Sequence, residues 1–124
     1  MNNSGSAVRG LAGFYKVACR DVLVVLDDMA LPLARLRARA GGSPGGHKGL
    51  LSVCEALACD DLPRLRIGIG QAPEAMDAVD FVLAPFRPEE EGPIEEAIRL
   101  AGNAVEDWID KGLVFVMDKY NRQG

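Results

Sequence analysis

Two adjacent carboxylates, Asp27 and Asp28, follow the run Asp21-Val22-Leu23-Val24-Val25-Leu26. A continuous β-branched and leucine run reads as a strand covered on both faces. Open α/β sheets hold their ligands at the carboxyl ends of such strands, so a carboxylate there can orient a catalytic imidazole. The bland alternative is a solvated turn. Histidine is scarce, and His47 is the only one. It follows the glycine-dense loop Gly41-Gly42-Ser43-Pro44-Gly45-Gly46 and opens a helix read to Leu57, with Leu50, Leu51, Cys54 and Leu57 inward. Such a loop can cradle phosphate on backbone N–H groups, yet it matches neither the P-loop nor the dinucleotide fingerprint, and it reads equally well as a simple corner. A helix amino terminus disfavours imidazolium, so spacing alone gives His47 a structural place. Before the loop, Leu-Ala-Arg-Leu-Arg-Ala-Arg-Ala over residues 33–40 alternates. That sets Arg35, Arg37 and Arg39 on one strand face, suited to nucleic-acid phosphates or to plain solvation.

These groups must be held by a single domain, because 124 residues suffice for one core. The chain is 48% hydrophobic and 26% charged, the balance of an ordinary globular protein. No apolar run reaches the roughly 18 residues of a membrane span, and the opening MNNSGSAVRG has no secretory pattern. A cytoplasmic protein with no membrane partner is expected. The net charge is −4, but basic residues gather mid-chain and acidic ones over 89–110. Cys19, Cys54 and Cys59 form no C-x-x-C pair and are expected as buried thiols. With one histidine and no ligand spacing, no metal site and no cofactor are expected.

Ala7, Val8, Leu11, Ala12, Phe14 and Tyr15 recur at helical spacing after Ser4 or Ser6. Leu65, Ile67 and Ile69 alternate with Arg66, Gly68 and Gly70 as a second strand. Residues 73–80 read as a loop or short helix, and Phe81-Val82-Leu83 as a short extended piece. Pro88 with Glu89, Glu90 and Glu91 starts a long helix whose stripe is Ile94, Ile98, Ala101, Val105, Trp108 and Ile109, ending at Gly112. A last short helix spans 113–120. The fold class is α/β, with a mixed, mostly parallel sheet flanked by helices.

Several separated motifs, in order and spacing, resemble the bacterial peptidyl-tRNA hydrolases along essentially the whole chain. They are Met1-Asn2-Asn3-Ser4-Gly5, Leu26-Asp27-Asp28-Met29-Ala30-Leu31-Pro32 and Gly45-Gly46-His47-Lys48-Gly49-Leu50, then Leu62-Pro63-Arg64-Leu65-Arg66-Ile67-Gly68-Ile69-Gly70, and Met76-Asp77 before Phe81-Val82-Leu83. The resemblance implies hydrolysis of the ester joining a peptide to the terminal ribose of tRNA, with peptidyl-tRNA as partner, a monomeric protein and no cofactor. It implies that Asp27 holds the histidine acting as general base and that Asn2 of the M-N-x-S-G motif helps place substrate. His47 matches a histidine beside the site, and Arg35, Arg37, Arg39 and Lys48 lie where tRNA would approach.

The sequence also departs from the family pattern. Lys48 stands where many members have asparagine, and Asn3 where an apolar residue is common. Members carry, ahead of M-N-x-S-G, a segment with the first sheet strand, an active-site asparagine and the catalytic histidine. The expectation is therefore a domain over residues 1–124 that corresponds to the carboxyl-terminal two thirds of the family fold. It would lack that first strand and the base, either through a misread start or through genuine truncation. An inactive, splicing-factor-like RNA-binding relative and a gene remnant are the competing expectations.

Overall fold

The computed structural model describes residues 4–15, 17–44, 47–59 and 61–121. The elements are α1 (Ser4–Tyr15), a 3-10 turn (Cys19–Asp21), β1 (Val24–Asp28), β2 (Leu36–Arg39), α2 (Lys48–Leu57), β3 (Arg64–Gly68), α3 (Ala78–Leu83), α4 (Pro88–Lys111) and α5 (Leu113–Tyr120). Among the described residues the sheet has three strands in the order β1-β3-β2. The Val24 N–H donates to the Pro63 carbonyl, and further along both strands the Ile69 N–H donates to that of Asp28, so β1 and β3 run parallel. Ala34 and Arg35, just before β2, bond to Gly68 at the end of β3, so this pair is antiparallel. The sheet is mixed, as expected, but with one parallel and one antiparallel pair it is not mostly parallel among the described residues.

The chain divides into two compact units, Met1–Leu26 with Arg39–Arg64, and Asp27–Ala38 with Leu65–Gly124. In the first, α1 packs on α2, and Val24, Leu26, Leu50, Val53, Cys54, Cys59 and Leu62 form one buried cluster joined by Val8, Val22 and Leu57. Gly5 lets the two helices close. Its N–H donates to the Ser52 hydroxyl at 3.1 Å, and a Cβ on Gly5 would collide with the Ser52 carbonyl.

Three expectations are corrected in this unit. The strand starts at Val24 rather than Asp21, after the 3-10 turn, and it takes in Asp27 and Asp28. It is not covered on both faces. Val24 and Leu26 are buried in the core cluster, whereas Val25, pointing the other way, is 40% exposed. On α2, Val53 rather than Leu51 completes the buried stripe, because Leu50, Val53, Cys54 and Leu57 share the face three and four residues apart, and Leu51 lies off it.

The cysteines need the third correction. Cys19 and Cys59 are bridged, not thiols, and Cys54 alone is a buried cysteine outside a disulfide. Spacing could not reveal a pair separated by 40 residues. The parallel register of β1 and β3 brings together the segments that lead into those strands.

In the second unit α4 packs against α5. The helix begins at Pro88 as expected, and the Glu90 carboxylate accepts the Arg87 N–H at 2.9 Å. That backbone bond, ahead of the Arg87 side chain, holds Glu90 below the usual carboxylate range. The buried residues of α4 are Ile94, Ala97, Ala101 and Ala104, while Ile98 and Ile109 are exposed. Alanines face inward because close helix packing needs small side chains, a preference that a hydrophobicity count misses. Phe81-Val82-Leu83 is helical, not extended. Asp77 caps α3 by accepting the Val79 N–H at 2.9 Å, and this local bond overrides the β-propensity of the three residues.

Asn121 closes the sheet. Its side-chain oxygen accepts the Ala38 N–H at 2.6 Å and its amide nitrogen donates to the Ala38 carbonyl at 2.9 Å. The side-chain amide thus imitates a neighbouring strand on the outer edge of β2. Asn121→Ala leaves two fully buried backbone groups unsatisfied and should cost about 1–3 kcal/mol. Chemical denaturation of the variant beside the parent measures this, and an unchanged midpoint would contradict the edge role.

Candidate functional site

In the first unit the glycine-rich loop leads into α2 through His47, which is the helix cap. Its Nδ1 accepts the Leu50 N–H at 3.0 Å, and its own N–H donates to the Pro44 carbonyl at 3.0 Å. The ring thereby serves as the amino-terminal cap of α2.

Lys48, the first residue of α2, is exposed beside a shallow open groove lined by Gly5, Ser6, Ser52 and Glu55. A cation at this end opposes the helix macrodipole. The position therefore works against helix stability.

Arg64 is the residue that pattern reading underrates. The sequence places it among a run of basic residues, yet it is completely buried. Its Nε donates to the Leu62 carbonyl at 3.0 Å and its Nη1 to the Ser43 carbonyl at 3.0 Å. Arg64 thereby ties the start of β3 to the loop that carries His47 and Lys48. The one available signal is its place between Pro63 and Leu65 at the start of a strand.

In the second unit the paired carboxylates have separate fates. Asp28 faces Arg66, Oδ2 to Nη1 at 3.3 Å, with the side chains only 17% and 20% exposed. Its Oδ1 accepts the Ala30 N–H at 2.8 Å. Asp28 is thus committed to fixing the turn after β1. Asp27 is half-buried, and strand alternation sets it on the opposite face, the one on which Val25 is exposed.

The arginine strand is shorter than its pattern suggested. Arg37 and Arg39 are exposed on β2, with Leu36 and Ala38 buried between them. Arg35 precedes the strand and is half-buried, following Ala34 in the left-handed region at φ 67°. Its backbone carbonyl accepts the Gly68 N–H at 2.7 Å. Asn2 lies outside the described residues. Asp27 and His47 fall in different units, and each is positioned by its own surroundings. Among the described residues no three metal-ligating side chains converge.

The family model for peptidyl-tRNA hydrolase matches residues 1–124. A peptidyl-tRNA hydrolase of Chloroflexus aggregans is 47% identical over 122 residues, and one of Syntrophomonas wolfei is 46% identical over 121. In both, 98% of this chain is covered and 65% of the relative, so the chain spans just under two thirds of the length of these relatives. Among solved structures, the crystal structure of peptidyl-tRNA hydrolase from Acinetobacter baumannii superposes with a TM-score of 0.89 at 28% identity, covering 98% of this chain and 62% of that one.

Proposed function

Because this chain belongs to the peptidyl-tRNA hydrolase family, we propose that it serves the hydrolysis of the ester between peptide and tRNA, releasing tRNA for reuse. In this reading Asp27 is a positioning residue. Its carboxylate accepts the N–H of a histidine, fixes the tautomer and steadies the imidazolium formed when water is deprotonated. The water then attacks the ester carbon, the carbon–oxygen bond to the ribose breaks, and the ribose hydroxyl leaves with a proton returned by the imidazolium.

The observation that carries the reading is that 98% of the chain aligns with curated peptidyl-tRNA hydrolases at 41–47% identity. In this reading the histidine that Asp27 serves is not His47, whose Nδ1 caps α2. Asn2, His47 and Lys48 place the acceptor end of the substrate, and Arg37 and Arg39, with Arg35 behind them, meet tRNA phosphates. The protein works as a cytoplasmic monomer without a cofactor. No described helix is long and apolar enough to cross a membrane.

The reading is tested on the chain joined to the amino-terminal segment of a relative, with a model peptidyl-tRNA as substrate. Peptide release is expected, with KM rising steeply with salt as phosphate contacts are screened. Arg37→Glu with Arg39→Glu should raise KM at least about tenfold at low salt and flatten that salt dependence, leaving kcat near the parent value. An unchanged salt slope would place the tRNA surface elsewhere. Tight tRNA binding without release would favour a protein that binds RNA only.

A further inference from the structure

Cys19 and Cys59 are bridged across 40 residues of sequence, with their Cα atoms 6.2 Å apart. The fold dictates the meeting. With the Val24 N–H bonded to the Pro63 carbonyl, β1 and β3 run side by side in one direction. Carried back along both chains, the same register sets the 3-10 turn holding Cys19 against the segment after α2 that holds Cys59. Cys19 is exposed, whereas Cys59 is 4% exposed, just past the left-handed Ala58 that ends α2. An exposed cysteine next to a buried one is the arrangement in which a solution thiol or disulfide reaches the first and the second then resolves the adduct. The third cysteine, Cys54, lies inside the core cluster and takes no part.

We propose that Cys19 and Cys59 are a reversible thiol–disulfide pair through which the stability of this chain follows the thiol redox state of its surroundings. The oxidant is a small-molecule disulfide of the glutathione class. The Cys19 thiolate attacks one sulfur of it, the small disulfide breaks, and one small thiolate leaves with the bonding electrons. The Cys59 thiolate then attacks the Cys19 sulfur of the mixed disulfide and expels the second small thiolate. The two cysteines are oxidised, the small disulfide is reduced to two thiols, and those thiols take up the two protons the cysteines lost. A small thiol in excess reverses each step.

The closed loop restricts the unfolded chain and so favours the native state. It closes at the carboxyl end of α2, whereas His47 and Lys48 sit at the opposite end. Redox state should therefore move stability without altering the cap at His47.

The test equilibrates the 124-residue chain in graded ratios of oxidised and reduced glutathione, then traps remaining thiols by alkylation in acid-quenched denaturant for mass mapping. Under oxidising ratios the expected product is lighter by two hydrogens, with one alkylated cysteine, Cys54, and a linked peptide pair containing Cys19 and Cys59. Its melting midpoint should exceed that of the reduced chain by about 10 °C. Cys19→Ser should abolish both the link and the redox dependence, and Cys54→Ala should keep both. Three alkylated cysteines at every ratio, a linked pair that includes Cys54, a stable glutathione adduct on Cys19, or equal melting of the two forms would each overturn the proposal.

Discussion

Asp27→Asn, introduced into the chain joined to the amino-terminal segment of a relative, should lower kcat by about 10³–10⁴-fold while KM moves little. The amide keeps the shape of the carboxylate but presents a donor where a histidine N–H must be accepted, so the wrong tautomer is held and the imidazolium loses its counter-charge. Asp28→Asn is the informative comparison, because the neighbouring carboxylate lies on the other strand face and is bonded to Arg66 and to the Ala30 N–H. That substitution should lower the melting midpoint and leave most of kcat. Steady-state kinetics and thermal unfolding on the same two proteins separate the roles. Equal losses of kcat at both positions, or a loss at Asp27 confined to KM, would mean that the working carboxylate or its role is wrongly assigned.

Arg64→Leu should be the most damaging substitution for folding in the first unit, at about 3 kcal/mol or more. The change removes the donors to the buried Leu62 carbonyl and to the Ser43 carbonyl, and leaving a buried acceptor without a partner costs more than the lost bond itself. Freed from β3, the loop through Ser43 should no longer hold His47 at its cap position. Amide exchange at Leu50, whose N–H is bonded to the His47 ring, should then accelerate beyond what the overall loss of stability explains. Exchange at Leu50 that tracks global unfolding alone would show that Arg64 steadies the core without positioning the loop.

The parts of this structure legible in the sequence are those written in local pattern. The start of α4 at Pro88 with its three glutamates, the alternation of Leu36 and Ala38 with arginines, and the helix opening at His47 all follow from period, capping and charge placement. Residues that depend on distant partners were not legible. The Cys19–Cys59 bridge and the seat of Arg64 under the Ser43 carbonyl arise only once the strands have paired. The same is true of Asn121, which finishes the edge of β2 from 83 residues away. Hydrophobicity also misjudged faces where geometry rules, as with the buried alanines of α4 beside the exposed Ile98 and Ile109.

At the candidate site strand alternation alone sets Asp27 and Asp28 on opposite faces, but not what each of them meets. Two aspartates in succession are equivalent by composition. The backbone turns one toward Arg66 and the other toward the face where Val25 is exposed. Only a paired strand with known neighbours shows that Asp28 is the one held by Arg66 and the Ala30 N–H.

The central claim is that these residues supply the carboxylate and the substrate contacts of a peptidyl-tRNA hydrolase while the general base is a histidine other than His47. It is tested most directly by measuring peptide release from a model peptidyl-tRNA under single-turnover conditions. The 124-residue chain alone should be compared with the same chain joined to the amino-terminal segment of a relative. The account predicts background release by the 124 residues, and release faster by at least about 10²–10⁴-fold in the joined protein, the contribution typical of a positioned general base. Release by the 124 residues at the rate of the joined protein would contradict it, because His47 or a group with no place in this account would then be activating the water.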